Sequence, residues 1–185
     1  MLNRKKIIDS VQQWLETIVI GLNLCPFAKD ELINQRIRFT VSAASIEKDL
    51  LIDLQAELNL LGRDEAIETT LLIHPQVLGD FYDYNQFLNM VDGLLMETGL
   101  EGIFQIASFH PDYQFGGTEP DDAENYTNKS PYPILHLLRE ASLERAIASY
   151  PDVGKIPERN IALMESMGQG RLEALLKSCM NRDDQ

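Results

Sequence analysis

The sequence predicts a single α/β domain, spanning residues 1–185, in which helices cover a small sheet. Helical and strand-like segments alternate over the first 110 residues in the order α, β, α, β, α, β, and more helical segments follow. The length of 185 residues and the 44% hydrophobic content suit one domain with a buried core. Such alternation favours a three-stranded parallel sheet. The alternative is a ferredoxin-like α+β arrangement with an antiparallel edge strand.

The elements of the first half follow from hydrophobic periodicity. An apolar stripe from Ile7 to Leu22 predicts the first helix, which Pro26 should end before Cys25. Period-two alternation over residues 36–42 predicts the first strand, and residues 67–73 and 103–109 predict the second and third. Leucine-rich and aromatic stripes predict a helix after each of the first two strands, closed by Gly62 and Gly99 respectively.

The second half is predicted to contain a long loop and three helices. Residues 111–130 show no periodicity and are rich in glycine and acidic residues, and loops of this length are usually functional or disordered. Helices are expected over residues 133–149, 157–167 and 170–180, with disorder in the last few residues. On the four helices expected to be amphipathic, Trp14, Leu54, Phe87 and Leu138 should be core residues.

Charge and cysteine content restrict the partners and the compartment. The formal net charge is -13, which disfavours nucleic acids and anionic membranes as partners. No segment has the roughly 18 consecutive apolar residues that span a bilayer. The two cysteines lie far apart in sequence, so reduced thiols and a cytoplasmic location are expected. The sequence does not indicate the oligomeric state.

Two predicted strands end in a His-Pro dipeptide, at His74 and His110. Parallel strands would bring both histidines to the carboxyl edge of the sheet, where open α/β sheets bind ligands. His74 has few polar neighbours in sequence and is interpreted as a strand terminator. His110 is followed by Asp112 and Tyr113, so it is the candidate general acid or base, with Asp112 as an orienting group.

A second group of candidates lies in the segment interpreted as the helix over residues 133–149. At helical spacing His136, Arg139 and Glu140 share a face, and a solvated polar face is the simpler interpretation. The guanidinium of Arg139 could instead bind an anion, because its planar fork matches carboxylate or phosphate. We therefore expect His110 and Arg139 to line one cavity under the loop of residues 113–130.

Cys25 is a conditional nucleophile. Its apolar setting, Leu24-Cys25-Pro26-Phe27, raises the pKa of a thiol unless a base or cation lies beside it. A catalytic role therefore depends on His110 or His136 lying close by. No metal site or cofactor is expected, because metal-ligand spacings, nucleotide-binding glycine motifs and the hydrolase elbow motif are all absent.

Five stretches resemble a bacterial family, the domain of unknown function 1415. They are Asn23–Ala28, Thr69–Ile73, Gln105–Phe115, Thr127–Pro133 and His136–Glu140. The resemblance runs over nearly the whole chain but implies no established activity. Lys129 stands where that family usually shows Arg, which weakens the case for a bidentate contact at this position. The expected ligand-binding residues in or beside these stretches are Tyr113, Asn128, Lys129 and Tyr132.

Three hypotheses for function remain open. The first is a hydrolase or transferase acting on a small anionic molecule, with His110, Asp112, His136, Arg139 and conditionally Cys25 as catalytic residues. The second is a non-catalytic module that binds a ligand or a protein with the same pocket. The third is a structural network of hydrogen bonds that braces the long loop.

Overall fold

The computed structural model describes residues 2–180, so the disorder expected for the last few residues lies outside the described residues. Helices and strands alternate up to residue 109, as the sequence predicts. The elements in chain order are α1 (Arg4–Trp14), a π-helix (Leu15–Ile20), α2 (Ala28–Ile33), β1 (Ile37–Val41), α3 (Glu47–Arg63), β2 (Thr69–Ile73), α4 (Phe81–Glu97), β3 (Phe104–Phe109), a 3-10 turn (Ala123–Thr127), β4 (Ile134–Arg139), α5 (Glu140–Ser149), a second 3-10 turn (Val153–Lys155), α6 (Ile156–Met167) and α7 (Gln169–Met180).

Within the described residues the fold is mixed α/β with one four-stranded sheet, in the order β1-β2-β4-β3. β1 pairs with β2 in parallel, whereas β4 is antiparallel to both β2 and β3. The expectation of a three-stranded parallel sheet is therefore wrong. The three predicted strands do run in the same direction, but β4 lies between β2 and β3. The ferredoxin-like alternative anticipates an antiparallel strand, but it places that strand at an edge.

The segment interpreted as one helix over residues 133–149 divides into β4 and α5. Residues 134–139 are extended and pair on both sides, and the helix begins only at Glu140. His136 and Arg139 consequently point to opposite faces of the sheet, because successive side chains of a strand alternate. The shared helical face of His136, Arg139 and Glu140 does not exist.

Each face of the sheet is covered by its own helical layer. On one face α1, the π-helix and α7 pack on Val41, Leu71 and Ile134. On the other face α3 and α4 pack on Leu72, Leu135 and Leu137. Trp14, Leu54 and Phe87 are buried, as expected, but Leu138 is only half-buried. Leu138 faces the α1 side at the end of β4, where the helical cover is incomplete.

The long loop after β3 is built around a buried asparagine. The side-chain oxygen of Asn125 accepts hydrogen bonds from the backbone N–H of Phe115 at 3.0 Å and from the hydroxyl of Thr118 at 2.9 Å. Its amide nitrogen donates to the carbonyl of Glu119 at 2.7 Å. The indole N–H of Trp14 donates to the carbonyl of Lys129 at 3.0 Å, which ties the end of the loop to α1.

In the part of the chain that the structure describes, none of the helices combines the length and apolar character needed to cross a membrane.

Candidate functional site

The carboxyl edge of β2 and β3 holds His74 and His110, but both histidines are fully buried there. The Nδ1 atom of His110 accepts the backbone N–H of Asp112 at 3.0 Å, so Nε2 carries the proton and donates to the carbonyl of Leu78 at 3.1 Å. Leu78 has a left-handed backbone with φ of 58°, a conformation that non-glycine residues rarely adopt. Both nitrogens of His110 thus bind backbone groups, Nδ1 in the turn after β3 and Nε2 in the loop after β2.

The aromatic surroundings of these histidines also favour a structural role. The ring of Tyr84 lies 5.1 Å from that of His110 and 5.7 Å from that of His74. Phe81 packs on His110 at 5.4 Å. Burial lowers the pKa of His110, and it lowers the pKa of His74 from 6.5 to about 4. Both imidazoles are therefore neutral at pH 7.

Arg139 lies at the opposite end of the sheet from His110. In the β3–β4 register Arg139 pairs with Phe104, whereas Phe109, which precedes His110, pairs with Ile134. The expectation that Arg139 and His110 line one cavity is therefore wrong. The guanidinium of Arg139 donates to the carbonyls of Leu61 at 2.6 Å, Asp64 at 3.1 Å and Ile67 at 2.9 Å. It closes the carboxyl end of α3 and is not directed at an anion site.

Cys25 and His136, in contrast, line one cavity of about 280 Å³ between the helices and the sheet, which we call the helix–sheet cavity. Its walls are mostly apolar and include Trp14, Leu15, Val19, Phe27, Leu71, Phe109, Leu138, Leu143 and Ala146. The cavity extends over the α1 face of the sheet toward the edge where β1 and β2 begin, because Ile37, Glu68 and Thr69 also line it. The candidate site thus lies away from the carboxyl edge that the sequence predicts.

Cys25 is positioned by the segment that follows the π-helix. The backbone N–H of Leu24 donates to the carbonyl of Val19 at 2.8 Å, and the buried side chain of Asn160 in α6 donates to the carbonyl of Leu24 at 2.9 Å. π-helical turns often lie at functional sites. Burial raises the pKa of the Cys25 thiol, while backbone hydrogen bonds from Phe27 and Ala28 partly offset this effect.

His136 is held in one tautomer by Thr69. The Thr69 hydroxyl donates to the carbonyl of Leu137 at 2.6 Å, so it must accept the hydrogen bond from Nε2 of His136 at 2.7 Å. Nδ1 of His136 is then unprotonated, and it has no hydrogen-bond partner among the described residues. Burial lowers the pKa of His136 from 6.5 to about 4. The ring therefore offers a neutral acceptor.

Two carboxylates, Glu31 of α2 and Glu68 before β2, line the helix–sheet cavity at the edge where β1 and β2 begin. Arg36 contacts both, with its Nε atom 3.4 Å from Glu31 and a close ion pair with Glu68. Glu68 Oε1 is buried and makes no hydrogen bond within the described residues, and for Glu31 Oε2 the ion pair with Arg36 takes the place of a hydrogen bond. Sequence reasoning missed Glu31, Glu68 and Thr69, because they lie on three separate segments and carry no motif.

The remaining expected site residues lie in or near the long loop. Asp112 is exposed, and Tyr113 packs its ring against Phe81 at 5.1 Å. Asn128 donates to the carbonyl of Ser108 at 3.0 Å, and Lys129 lies over the ring of Tyr126. Tyr132 packs against the hydrophobic core. None of these five residues lines the helix–sheet cavity.

A second cavity of about 490 Å³, which we call the loop cavity, lies between the long loop and α6. Cys25 and Asn128 both line it, together with Thr118 and Asn160. Cys25 therefore borders both cavities. Among residues 2–180, no group of three or more histidine, cysteine, aspartate or glutamate side chains is arranged to hold a metal ion.

Comparison with known proteins identifies the family. No curated protein and no solved structure matches the chain. One family model, described as a protein of unknown function (DUF1415), matches residues 6–174 of the 185. The match covers nearly the whole chain, including Cys25, Thr69 and His136. The chain therefore belongs to the DUF1415 family.

Proposed function

We propose that the protein is a cysteine-dependent acyl hydrolase or acyl transferase. Cys25 is the nucleophile, His136 is the general base, and the substrate is a small molecule bound in the helix–sheet cavity. The observation that carries this proposal is that Cys25, from the turn after the π-helix, and His136, from β4, line one mostly apolar cavity. Of the three histidines, His136 is the one that lines the helix–sheet cavity with Cys25.

The hydrogen bonds of His136 support the role of base. A nucleophile, a base and a group that orients the base are the recurring parts of such sites. Thr69 is the orienting group, because its hydroxyl accepts the Nε2 proton and leaves the lone pair of Nδ1 for proton transfer. This arrangement uses a hydroxyl where many sites use a carboxylate.

The proposed reaction has two steps. In the first, Nδ1 of His136 takes the proton of the Cys25 thiol as sulfur attacks the acyl carbon. The bond to the leaving group then breaks, the leaving group takes the proton from the imidazolium, and a thioester remains on Cys25. In the second step, His136 takes a proton from water or an acceptor alcohol as its oxygen attacks the thioester. The acyl product leaves, and the proton returns to sulfur.

The protonation states support general-base activation over a resting ion pair. Burial raises the pKa of Cys25 and lowers that of His136, so thiol and imidazole are both neutral at pH 7. The imidazolium of His136 then forms only as the sulfur of Cys25 attacks the substrate. Because His136 titrates at about pH 4, we expect the rate of acylation to increase as the pH rises through 4 and to stay level through pH 6.5, where a free histidine would titrate.

The same neutrality favours a second candidate function, a module that binds a small molecule without turnover. An unactivated thiol in an apolar cavity is ordinarily a packing residue. On this alternative, Cys25 and His136 only shape the cavity and offer weak polar contacts. The two functions differ in whether a covalent acyl adduct forms on the sulfur.

The test is acylation of the protein by p-nitrophenyl acetate and p-nitrophenyl butyrate. Acylation is measured by the release of p-nitrophenol and by the mass of the intact protein. We expect a burst of p-nitrophenol with one acyl group on Cys25. Cys25→Ala should abolish the adduct. His136→Gln should slow acylation by about 10²-fold, because glutamine retains a donor toward Thr69 but lacks the base.

The matched control is Cys179→Ala. Cys179 is buried in α7 and hydrogen-bonds to the carbonyl of Leu175, so its removal should leave the burst unchanged. An adduct that persists in Cys25→Ala, or a His136→Gln variant that acylates at the normal rate, contradicts the proposal. Saturable binding of the esters without any adduct supports the binding module.

A further inference from the structure

The helix–sheet cavity has α5 as one of its walls, and this helix is loosely packed. Within the part of the chain that the structure describes, no residue of α5 is buried. Ser142, Leu143 and Ala146 are half-buried and line the cavity. Their helical spacing places them on one face, so the inner face of α5 meets the cavity instead of closely packed side chains. An apolar ligand in the cavity would therefore complete the burial of this face.

The sheet and the first helix form further apolar walls. Leu71, Ala107 and Leu138 contribute from β2, β3 and β4, and Trp14 contributes from α1. Ala107 pairs with His136 in the β3–β4 register, so the apolar surface continues to the proposed general base. Apolar surface that is buried between such walls is the main source of affinity in small-molecule sites.

The charged side chains at the edge of the cavity are already engaged with protein groups. Arg36 forms ion pairs with Glu31 and Glu68, and the guanidinium of Arg139 donates to carbonyls at the end of α3. The formal charges of these side chains, two negative and two positive, sum to zero. A charged group of a ligand would lose its hydration here without gaining an uncompensated counter-charge. The cavity therefore favours an uncharged ligand.

The volume of the cavity sets the size of that ligand. A cavity of about 150 Å³ in another protein binds one benzene molecule, which has six carbon atoms. By proportion, the helix–sheet cavity of about 280 Å³ accommodates roughly ten carbon atoms. The ligand is thus larger than an acetyl group and smaller than a long-chain lipid.

We propose that the helix–sheet cavity binds an uncharged aliphatic acyl chain of up to roughly ten carbon atoms between the sheet and α5, with the acyl carbon at Cys25 and His136. For the reaction at Cys25 this inference rests on the proposed function, and it names the substrate class of that site as medium-chain acyl esters or thioesters. It departs from the small anionic molecule that the sequence suggests, because the guanidinium of Arg139 binds α3.

Binding of the chain can be measured without any reaction at Cys25, because straight-chain alcohols carry no acyl group. Trp14 is the one tryptophan of the chain and lines the cavity, so its fluorescence reports a bound ligand. From butanol to octanol we expect the dissociation constant to fall about fourfold for each added methylene group, since each buries more apolar surface. From decanol to dodecanol we expect little further change, because the cavity is then full.

Probes with a charged far end test whether the ligand must be uncharged. The compounds ω-aminooctanol and ω-hydroxyoctanoate share the chain of octanol and carry opposite charges at pH 7. We expect both to bind at least about tenfold more weakly than octanol, because neither charge finds a free partner in the cavity. Tighter binding of either compound than of octanol would contradict the uncharged substrate class.

Two variants reduce the space for the chain. Ala146→Leu fills part of the cavity from α5 and should weaken the binding of octanol about tenfold while leaving that of butanol unchanged. Its matched control is Ala148→Leu, because Ala148 is exposed on the same helix and does not line the cavity. Ala107→Leu fills the cavity from the sheet and should have the same effect. A thermal melt of each variant separates lost binding from a lost fold.

The outcomes separate this inference from the proposed function. Length-dependent binding of the alcohols that Ala146→Leu restricts to short chains supports the inference, even if the esters leave no adduct on Cys25. Binding that does not depend on chain length, or no binding of any alcohol, overturns it, whether or not Cys25 is acylated. Length-dependent binding that is unchanged in both Ala146→Leu and Ala107→Leu places the chain elsewhere and also overturns the inference.

Discussion

At the scale of single residues, the sequence identified two of the groups that converge and misplaced the others. Cys25 and His136 could be selected because thiol and imidazole are chemically distinctive side chains. His110 attracted the same attention, but its two nitrogens bind the backbone of Asp112 and Leu78. Nothing in the sequence signals the left-handed turn at Leu78 that brings its carbonyl to His110. The sequence around a histidine at a strand end is therefore the same whether the imidazole binds a substrate or the backbone.

Gly21 is a residue whose importance appears only in the structure. It follows the π-helix, and its N–H donates to the carbonyl of Glu16 at 2.9 Å. A Cβ atom at this position would lie 2.3 Å from the carbonyl oxygen of Thr17, so the close approach of backbone requires glycine. The tight turn that sets the position of Cys25 thus requires a residue without a Cβ atom at position 21.

We predict that Gly21→Ala destabilises the protein by about 2 kcal/mol and slows any reaction of Cys25, because the turn must open to admit the methyl group. The measurement is urea denaturation together with alkylation of Cys25 by iodoacetamide. Gly93→Ala in α4 is the control, since its Cβ meets nothing within 4 Å. Removing a helical glycine there should stabilise the protein by up to about 1 kcal/mol. Equal effects of the two substitutions would contradict this account of the turn.

At the scale of elements, the sequence predicted the β1-α3-β2-α4-β3 order and missed β4. Residues 134–139 are followed by a strongly helical segment, and their apolar spacing suits a helix as well as a strand. The pairing decides the outcome, because Ile134, Leu135 and Leu137 become fully buried between β2 and β3. Tertiary contacts of this kind routinely override local propensity. A periodicity argument cannot include strands that are distant in sequence.

The end of β4 is coupled to α3 by Arg139. Its guanidinium supplies donors to carbonyls at the end of that helix, which have no partners within the helix itself. We predict that Arg139→Met costs about 3 kcal/mol of unfolding free energy, because these hydrogen bonds are lost while the carbonyls remain half-buried.

The measurement for Arg139→Met is urea denaturation, with Arg145→Met as the matched control. Arg145 is exposed on α5 and hydrogen-bonds only to Ser142 among the contacts the structure describes, so its loss should change stability by less than about 0.5 kcal/mol. If Arg139→Met unfolds like the unmodified protein but loses binding of an anionic ligand, the anion role suggested by the sequence regains support.

At the scale of the whole molecule, acid stability follows from the three histidines. All three have a lowered pKa, to about 4 for His74 and His136. The unfolded chain binds protons at about pH 6.5, so between pH 6.5 and 4 the unfolded state binds more protons than the folded state. The contribution of the histidines to the free energy of unfolding is therefore fully present above pH 6.5, and it decreases as the pH falls toward 4.

We predict that His74→Gln reduces this acid sensitivity. The pKa difference at His74 corresponds to about 3 kcal/mol lost by pH 4. The variant should be less stable than the unmodified protein at pH 7.5, yet lose less stability on acidification. Urea denaturation between pH 4 and 7.5 measures both quantities. Parallel pH profiles for the two proteins would show that His74 does not contribute to acid unfolding.

The interior position of β4 has a consequence for synthesis of the chain. β2 and β3 cannot pair with each other, because β4 lies between them in the sheet. As the chain leaves the ribosome, β3 emerges with no neighbour to pair with, and one edge of β2 stays open, until residues 134–139 follow. Unpaired strand edges are templates for association with other chains. A nascent chain that stalls before residue 134 therefore exposes one edge of β2 and both edges of β3, and the sheet can be completed only after β4 has been synthesised.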